Sequence, residues 1–587
     1  MRSVVIDGQI SYNAVTQIFN SETFRSLLIE LIKDSERKRT SLCSLFELFV
    51  KNPKETVFEE KYDLDSMVQL LLALMVNTIE EIDNSRCYSF PMLSDKKTLL
   101  VKFVDRLFNL WRSKHRFMLR RDTYTPARLK RIFKQAVLVN TNAELRSLVL
   151  STYRQILINI SDVSLKILRQ EPGGAQVSFL VDSPEIHRDV MVKKADWLYD
   201  LDFVWSIVFE PPVIFYTRSN KRRGLFKVVD KPILHKIDID VPRNWLLFPI
   251  FVGKKLIFVV TNKEYLAHAA GLGNLFEIAN FDDIRNRKPD GIFIFGMDDE
   301  FFKNPGDING VIYKEDDMYI GLVGDHPSID YFGYMKKMIL TIHNLLAIDE
   351  GRLPIHGALA HIRLTNGKSA NVMLLGDSGA GKSETLDALN QLKEEVSEVN
   401  ILIDDMGSLD INQSGEVVAY GTETGAFVRL DDLQPGYAYS TMDRSIFMNP
   451  NVVNARVIVP YSNYDEIIRP TKIDYFLYAN NYEKVEEHKK VRFFDNHEEA
   501  LEVFSKGARM AKGTTAEKGL TYSYFANPFG AIQRKEKHSK IASKYIETMM
   551  KTGVKIGEVY TQLGINGYEQ SGPLLAAQSL IELIKNS

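Results

Sequence analysis

One short segment constrains this chain more than any other: Gly376-Asp377-Ser378-Gly379-Ala380-Gly381-Lys382-Ser383. It fits the pattern G-x-x-x-x-G-K-[ST], follows the apolar run Asn371–Leu375, and precedes Leu386 and Leu389 at helical spacing. The order strand, tight turn, helix is the setting in which such a turn grips phosphate. Its glycines let backbone N–H groups face inward around an anion, and the helix N-terminus adds positive potential. Lys382 is then long enough to reach terminal phosphates, and the Ser383 hydroxyl can ligate a cation. About twenty residues on, Ile401-Leu402-Ile403-Asp404-Asp405 reads as an apolar strand ending in two carboxylates, the usual partner that holds a metal beside a P-loop. Adjacent acids repel, so burying both makes sense chiefly with a cation next to them.

Composition excludes several classes. A chain of 587 residues with 45% hydrophobic and 26% charged residues and a formal net charge of -2 is an ordinary globular protein, with no global field that favours nucleic acid or a membrane. Cys43 and Cys87 form no C-x-x-C pair and stand beside no histidine suited to a metal, which points to a reducing compartment without a zinc site. The start, Met1-Arg2-Ser3-Val4-Val5-Ile6-Asp7, lacks the apolar core of a signal peptide. The longest apolar run, Met67 to Val76, is about half of a bilayer span. The expected location is the cytoplasm.

The patterning predicts an all-α region joined to α/β lobes. From about Thr16 to Leu168 apolar residues recur at helical spacing, as in Leu70, Leu71, Leu74, Met75 and Ile82, and glycine almost vanishes. Glu171-Pro172-Gly173-Gly174 breaks that pattern. Strands are expected at Trp205–Phe209, Val213–Thr217, Leu256–Val260, Gly291–Phe295, Gly310–Tyr313 and Tyr319–Val323, then a helix around Tyr334–Leu346 and a strand near Ile355–Leu364. Three domains follow: helical residues 1–172, an α/β substrate-binding lobe at 173–345, and a P-loop lobe for nucleotide and metal at 346–587. Between Trp111 and Lys134 lie nine lysines and arginines, among them Arg112, Lys114, Arg116, Arg120, Arg121 and Arg131, against the single acid Asp122. Such a stretch is usually a solvated helix face; it also offers a surface for a protein partner or for self-association. Nucleic acid is not the expected ligand.

Further ordered motifs accompany the loop. Tyr331-Phe332-Gly333-Tyr334-Met335-Lys336-Lys337, Pro354-Ile355-His356-Gly357-Ala358, Thr422-Glu423-Thr424-Gly425-Ala426-Phe427-Val428-Arg429, Asn454-Ala455-Arg456 with Pro460, and Lys512-Gly513-Thr514 through Glu517-Lys518-Gly519-Leu520-Thr521 with Phe529-Gly530 appear in that order. Together with the loop they resemble the nucleotide-dependent phosphoenolpyruvate carboxykinases, closest to the ATP-using branch, over roughly 370 residues. The resemblance implies mixed-sheet lobes around a P-loop. It also implies a transition metal, usually manganese, held by Lys337, His356, Asp405 and Ser383 with Asp404 adjacent; magnesium is the other candidate. A lysine ligates only when neutral, so Lys337 needs its pKa depressed, by the metal and by Lys336 beside it. His361 is the competing histidine near the loop, and the motif favours His356.

By the same resemblance the donor phosphates lie on Gly376, Asp377, Ser378, Gly379, Ala380, Gly381, Lys382 and Ser383, with Glu423, Arg429 and Lys518 completing the nucleotide side. Lys336, Lys382, Arg456 and Arg429 would neutralise the transferred phosphoryl group. Arg218, in Arg218-Ser219-Asn220-Lys221-Arg222-Arg223, is similar to the arginine of the family's R-S-x-K-D-K segment and would clamp a dicarboxylate, with Tyr331 and Ser378 on the substrate side. The implied reaction interconverts oxaloacetate plus nucleoside triphosphate with phosphoenolpyruvate, carbon dioxide and nucleoside diphosphate. Three departures stand out: Arg222 replaces the segment's aspartate, Arg429 replaces a lysine, and Asn480-Asn481-Tyr482-Glu483-Lys484 replaces an apolar, proline-rich loop on the purine side. Pyrophosphate therefore stays open as a donor beside ATP. The loop through Glu384 also resembles the HPr kinase/phosphorylases, which keeps a kinase for a small-molecule or protein serine hydroxyl as an alternative, and a non-catalytic nucleotide-binding regulator as another.

Overall fold

The computed structural model describes all residues except 1–3, 7–8, 12–13, 56, 89, 114–129, 162–165, 170–176, 210–212, 223, 238, 240–243, 431–444, 487–489, 512–518 and 587. The centre of the basic stretch and Lys518 fall outside the described residues. Two compact units emerge, one formed by Met1–Lys166 and one by Ile167–Gln434 with Ser445–Ser587.

The first unit is helical after a short hairpin of Val4–Ile6 and Gln9–Ser11. Its helices include Glu22–Lys38, Leu64–Leu74, Lys97–Ser113 and Lys130–Ser161. Local chemistry starts several of them: the Ser21 hydroxyl accepts from the Phe24 N–H, and Thr78 and Glu81 form a reciprocal capping box. In Glu22–Lys38 the residues Phe24, Leu27, Leu28, Leu31 and Ile32 form one buried stripe. The helical pattern ends earlier than the expected Leu168. Lys166–Arg169 is a strand at the edge of the neighbouring sheet, because Ile167 and Leu168 suit either state and pairing beside Val177–Asp182 supplies the ladder.

The second unit is mixed α/β. A ten-stranded sheet runs in the order Lys166–Arg169, Val177–Asp182, Asp202–Phe209, Trp245–Val252, Lys255–Asn262, Gly291–Met297, Met318–Gly324, Val311–Glu315, Lys227–Val229, with Glu277–Ile278 also on Trp245–Val252. An eight-stranded sheet runs Thr471–Lys472, Val417–Gly421, Val396–Ile411, Leu353–Leu364, Ser369–Leu375, Tyr475–Asn480, Lys555–Tyr560, Val491–Phe493. Between these two sheets in sequence comes the helix Phe332–Asp349, called here the lysine helix. It is buried on nearly every side, with apolar residues all round it and Lys336, Thr341, His343 and Asn344 buried among them. Gly321 makes room for it: a Cβ there would stand 2.8 Å from Met338 Sδ. A four-stranded sheet of Gly425–Arg429, Arg456–Pro460, Ile446–Met448 and Val213–Phe215 pairs residues far apart in sequence, so the segment before residue 345 and the segment after it build one sheet together.

The acidic strand differs from its expected form. Asp404 and Asp405 do not end it; the strand continues to Ile411, and from Val396 to Leu409 it pairs with the His356 strand, Leu353–Leu364. Asp405 adopts a φ of 82°, a left-handed backbone uncommon outside glycine, and so interrupts the regular geometry without ending the pairing. Among the described residues, no helix is long and apolar enough to cross a membrane.

Candidate active site

Three elements bring the site together. The His356 strand is central: on one side it pairs with Ser369–Leu375, which feeds the glycine-rich turn, and on the other with the acidic strand, where Gly357 lies opposite Asp405. The lysine helix contributes Lys336 and Lys337 from its first turns. Successive helical residues point in different directions, yet both long side chains reach one oxygen: Lys336 Nζ and Lys337 Nζ each lie 2.6 Å from Asp405 Oδ2. The other oxygen, Oδ1, is 2.8 Å from His356 Nε2. Three nitrogen side chains therefore meet on one carboxylate.

The histidine is oriented from behind. His356 Nδ1 donates to the Ala526 carbonyl. That carbonyl is aimed by two consecutive residues in left-handed backbone, Phe525 at φ 52° and Ala526 at φ 49°. Strain of this kind persists where the surroundings enforce it, and here it fixes the ring. Because a carbonyl only accepts, Nδ1 carries a proton, and Nε2 can face the ionised Asp405 only as a second N–H or across a shared cation. A histidine whose far nitrogen is tied to a backbone carbonyl is also how metal-ligating imidazoles are held.

Burial sets the electrostatics. It pushes the Asp405 carboxyl up, but Lys336, Lys337 and His356 together outweigh it and hold Asp405 well below the usual carboxylate range. Burial pulls the Lys337 ammonium down; Asp405 opposes that and Lys336 adds to it, leaving Lys337 below an ordinary lysine. Lys336 goes the other way, because Asp405 and Glu423 overcome the cost of burying it. Glu423 Oε1 lies 3.0 Å from Lys336 Nζ, and burial lifts the Glu423 carboxyl to about 8. Asp404 is raised, by burial first and then by Asp405. Its backbone N–H donates to Tyr461, whose hydroxyl donates to the Glu423 carbonyl, so the two acidic positions are braced together. Of the adjacent lysines, Lys337 is thus the one suited to lose its proton, and its set with His356 and Asp405 fits a transition metal that accepts nitrogen ligands. Among the described residues, His, Cys, Asp and Glu alone form no group of three or more that could hold a metal. An ion held at this cluster would need a lysine among its ligands.

The glycine-rich turn stands beside this cluster. Gly376, Gly379 and Gly381 have φ values of 155°, 79° and 94°, and Gly381 leads directly into the helix Lys382–Gln391. Lys382 is buried and folded back, donating to the carbonyls of Gly376 at 2.7 Å and Asp377 at 3.1 Å. Burial lowers its pKa, with Asp405, Asp377 and Asp404 opposing. Ser378 and Ser383 are exposed, Ala380 is buried, and Asp377 Oδ2 accepts from Arg509 Nε at 2.8 Å. Asn481 donates to the Gly379 carbonyl at 2.9 Å and Thr561 to that of Ala380 at 2.7 Å, so the turn is braced from outside.

The remaining expected residues divide. Arg429 and Arg456 face each other across the four-stranded sheet; Arg456 donates to Asn454 at 2.9 Å, and its guanidinium lies 5.4 Å from the Phe427 ring centroid. Tyr331 is buried against the same ring, with centroids 5.9 Å apart. Arg218, expected to clamp a dicarboxylate, donates from its backbone N–H and its Nε to Asp330 Oδ2 at 2.8 and 2.9 Å, while His268 Nε2 lies 2.7 Å from Oδ1. Burial opposes ionisation of Asp330, but His268 and Arg218 hold its pKa at about 2. His361 pairs with Asn371 across the strands, away from the cluster. Sequence reasoning missed the Ala526 carbonyl, Tyr461, Arg509, Thr561 and Asp330. Of these, Asp330 adjoins the motif residue Tyr331 and Tyr461 adjoins the motif residue Pro460.

No protein-family model matches the chain, and no curated protein matches it. The function therefore has to come from the chemistry of these groups.

Proposed function

We propose that this chain is a metal-dependent P-loop phosphotransferase of the phosphoenolpyruvate carboxykinase type. The observation that carries the reading is the convergence of Lys337 and His356 on Asp405 next to Lys382 and its glycine-rich turn. A manganese ion on Lys337, His356 and Asp405, with Ser383 from the loop, would supply Lewis acidity for an enolate oxygen and for phosphoryl oxygens. Lys337 would hold that ion as a neutral amine, and burial and Lys336 depress its pKa in that direction. Lys382 exchanges two backbone carbonyls for a terminal phosphate, while the N–H groups of the first turn of its helix receive the other oxygens. Lys336 keeps its charge and, with Arg456 and Arg429, offsets the charge of the moving group. In the direction of decarboxylation, the bond from C3 to the departing carboxylate breaks and its electron pair forms the enolate. The enolate oxygen then attacks the terminal phosphorus, and the bridging P–O bond breaks to release the diphosphate.

Phosphoenolpyruvate, bicarbonate, ADP and Mn2+ should yield oxaloacetate, followed by reduction to malate with a coupled NADH enzyme. Absence of oxaloacetate together with phosphate transfer to serine or another alcohol would overturn this reading in favour of a hydroxyl kinase. One observation favours that second reading: the ion pair with Asp330 offsets the positive charge of Arg218. The donor is ATP or another nucleoside triphosphate, or pyrophosphate. Asn480 and Asn481, which stand in place of the family's apolar, proline-rich loop, are fully buried, and the Asn481 side chain is engaged by Gly379 and Met510.

A further inference from the structure

We infer that Arg222, and not Arg218, binds the carboxylate of this site's small anionic substrate; the inference rests on the carboxykinase reading and names its specificity residue. Arg222 is the position at which the chain departs from the R-S-x-K-D-K pattern. Its guanidinium lies 5.1 Å from the Phe226 ring centroid and 5.2 Å from that of Phe529. Phe529 also carries Lys337 Nζ at 4.6 Å, so Arg222 and the lysine of the cluster share one ring.

That ring is firmly held. The Phe529 carbonyl accepts from Asn344 of the lysine helix at 2.7 Å, its N–H donates to Asn527 at 3.1 Å, and Phe226 is tied to the same segment through Gln533. Arg222 is therefore fixed beside the cluster by aromatic faces.

What the aromatic faces do not supply is a counter-charge. One N–H of Arg222 meets the Gly224 carbonyl, and among the described residues no carboxylate is paired with it. Burial lowers its pKa, and the nearby ionisable groups that act on it are the phenols of Tyr334 and Tyr331. A half-buried guanidinium with no carboxylate on it among the described residues keeps planar donors that a bound carboxylate would engage. Arg218 lacks that need, since Asp330 already neutralises it. Tyr331 precedes the lysine helix: its chain neighbour Asp330 engages Arg218, and its phenol is one of the two groups that act on the Arg222 charge.

The test is calorimetric titration of oxalate, a small dicarboxylate, into the full-length chain saturated with Mn2+. Wild type should bind it, Arg222→Gln should bind at least about tenfold more weakly, and Arg218→Gln should change affinity by less than about threefold. Arg222→Lys keeps the charge but loses the planar fork, so it should also weaken binding. Mn2+ affinity, read separately by electron paramagnetic resonance, should be the same in Arg222→Gln as in wild type, which shows that the variant retains its fold. Absence of oxalate binding in wild type, undiminished binding in Arg222→Gln, or a loss confined to Arg218→Gln would overturn the inference. Because turnover is not part of the readout, a chain that binds oxalate through Arg222 but makes no oxaloacetate keeps this assignment and loses the carboxykinase reaction.

Discussion

At the scale of single residues, Asp405 carries the most weight, since one carboxylate answers Lys336, Lys337 and His356. Removing its charge leaves buried cations facing one another. Asp405→Asn should lose Mn2+ binding and about 3–5 kcal/mol of stability, the usual cost of stripping one partner from a buried ion pair. A denaturation midpoint unchanged from wild type would contradict this. Lys382→Ala should retain the fold, since the hydrogen bonds Lys382 makes among the described residues go to the loop carbonyls of Gly376 and Asp377, but should lose about a hundred- to a thousandfold in phosphoryl transfer, as removal of a single oxyanion-stabilising donor does elsewhere. The lysines, histidine and aspartate were legible in sequence because their chemistry is written in their side chains. The Ala526 carbonyl was not: its role comes from backbone at positive φ, and nothing in the letters Phe525-Ala526 announces that conformation. Arg218 illustrates a different gap, since a motif names a side chain but not the Asp330 that occupies it.

At the scale of elements, the lysine helix links the site to the rest of its unit. Its C-terminal Asp349 accepts from Lys314 at 2.6 Å, Lys537 at 2.8 Å and Tyr319 at 2.7 Å. Burial raises the Asp349 carboxyl, but these partners outweigh it and bring it down to about 2. A depressed carboxylate stabilises the fold above its unfolded pKa, and that contribution is lost as pH falls from about 4 to about 2. Asp349→Asn should therefore cost about 2 kcal/mol near neutral pH, with the difference from wild type shrinking through that acid window. Thermal midpoints of both proteins across pH would check it. The turn before Lys382 offers a second test: a Cβ on Gly381 would lie 2.5 Å from Thr561 Oγ1, at a φ of 94°. Gly381→Ala should cost about 1–3 kcal/mol and weaken donor binding, readable as a raised KM for the donor. Strand and helix order around this turn could be read from the letters. The continuation of the acidic strand past Asp405 could not, because two charged residues look like a strand end unless their partner strand, and the cations facing them, are known.

At the scale of the whole chain, the helical unit and the mixed α/β unit follow from glycine usage and periodicity. The joining of Val213–Phe215 to strands between residues 425 and 460 does not, because such pairing is decided by register across more than two hundred residues rather than by local pattern. Arg456 and Arg429 are set opposite each other by the nearer pairing of Gly425–Arg429 with Arg456–Pro460 in the same sheet. The central claim is that Lys337, His356 and Asp405 hold one ion beside the glycine-rich turn. Anomalous diffraction at the manganese edge, from crystals grown with Mn2+ and pyrophosphate, tests it most directly. The account predicts a single strong peak within coordination distance of Lys337 Nζ, His356 Nε2 and an Asp405 oxygen; a peak elsewhere, with the lysine and histidine still on Asp405, would contradict it.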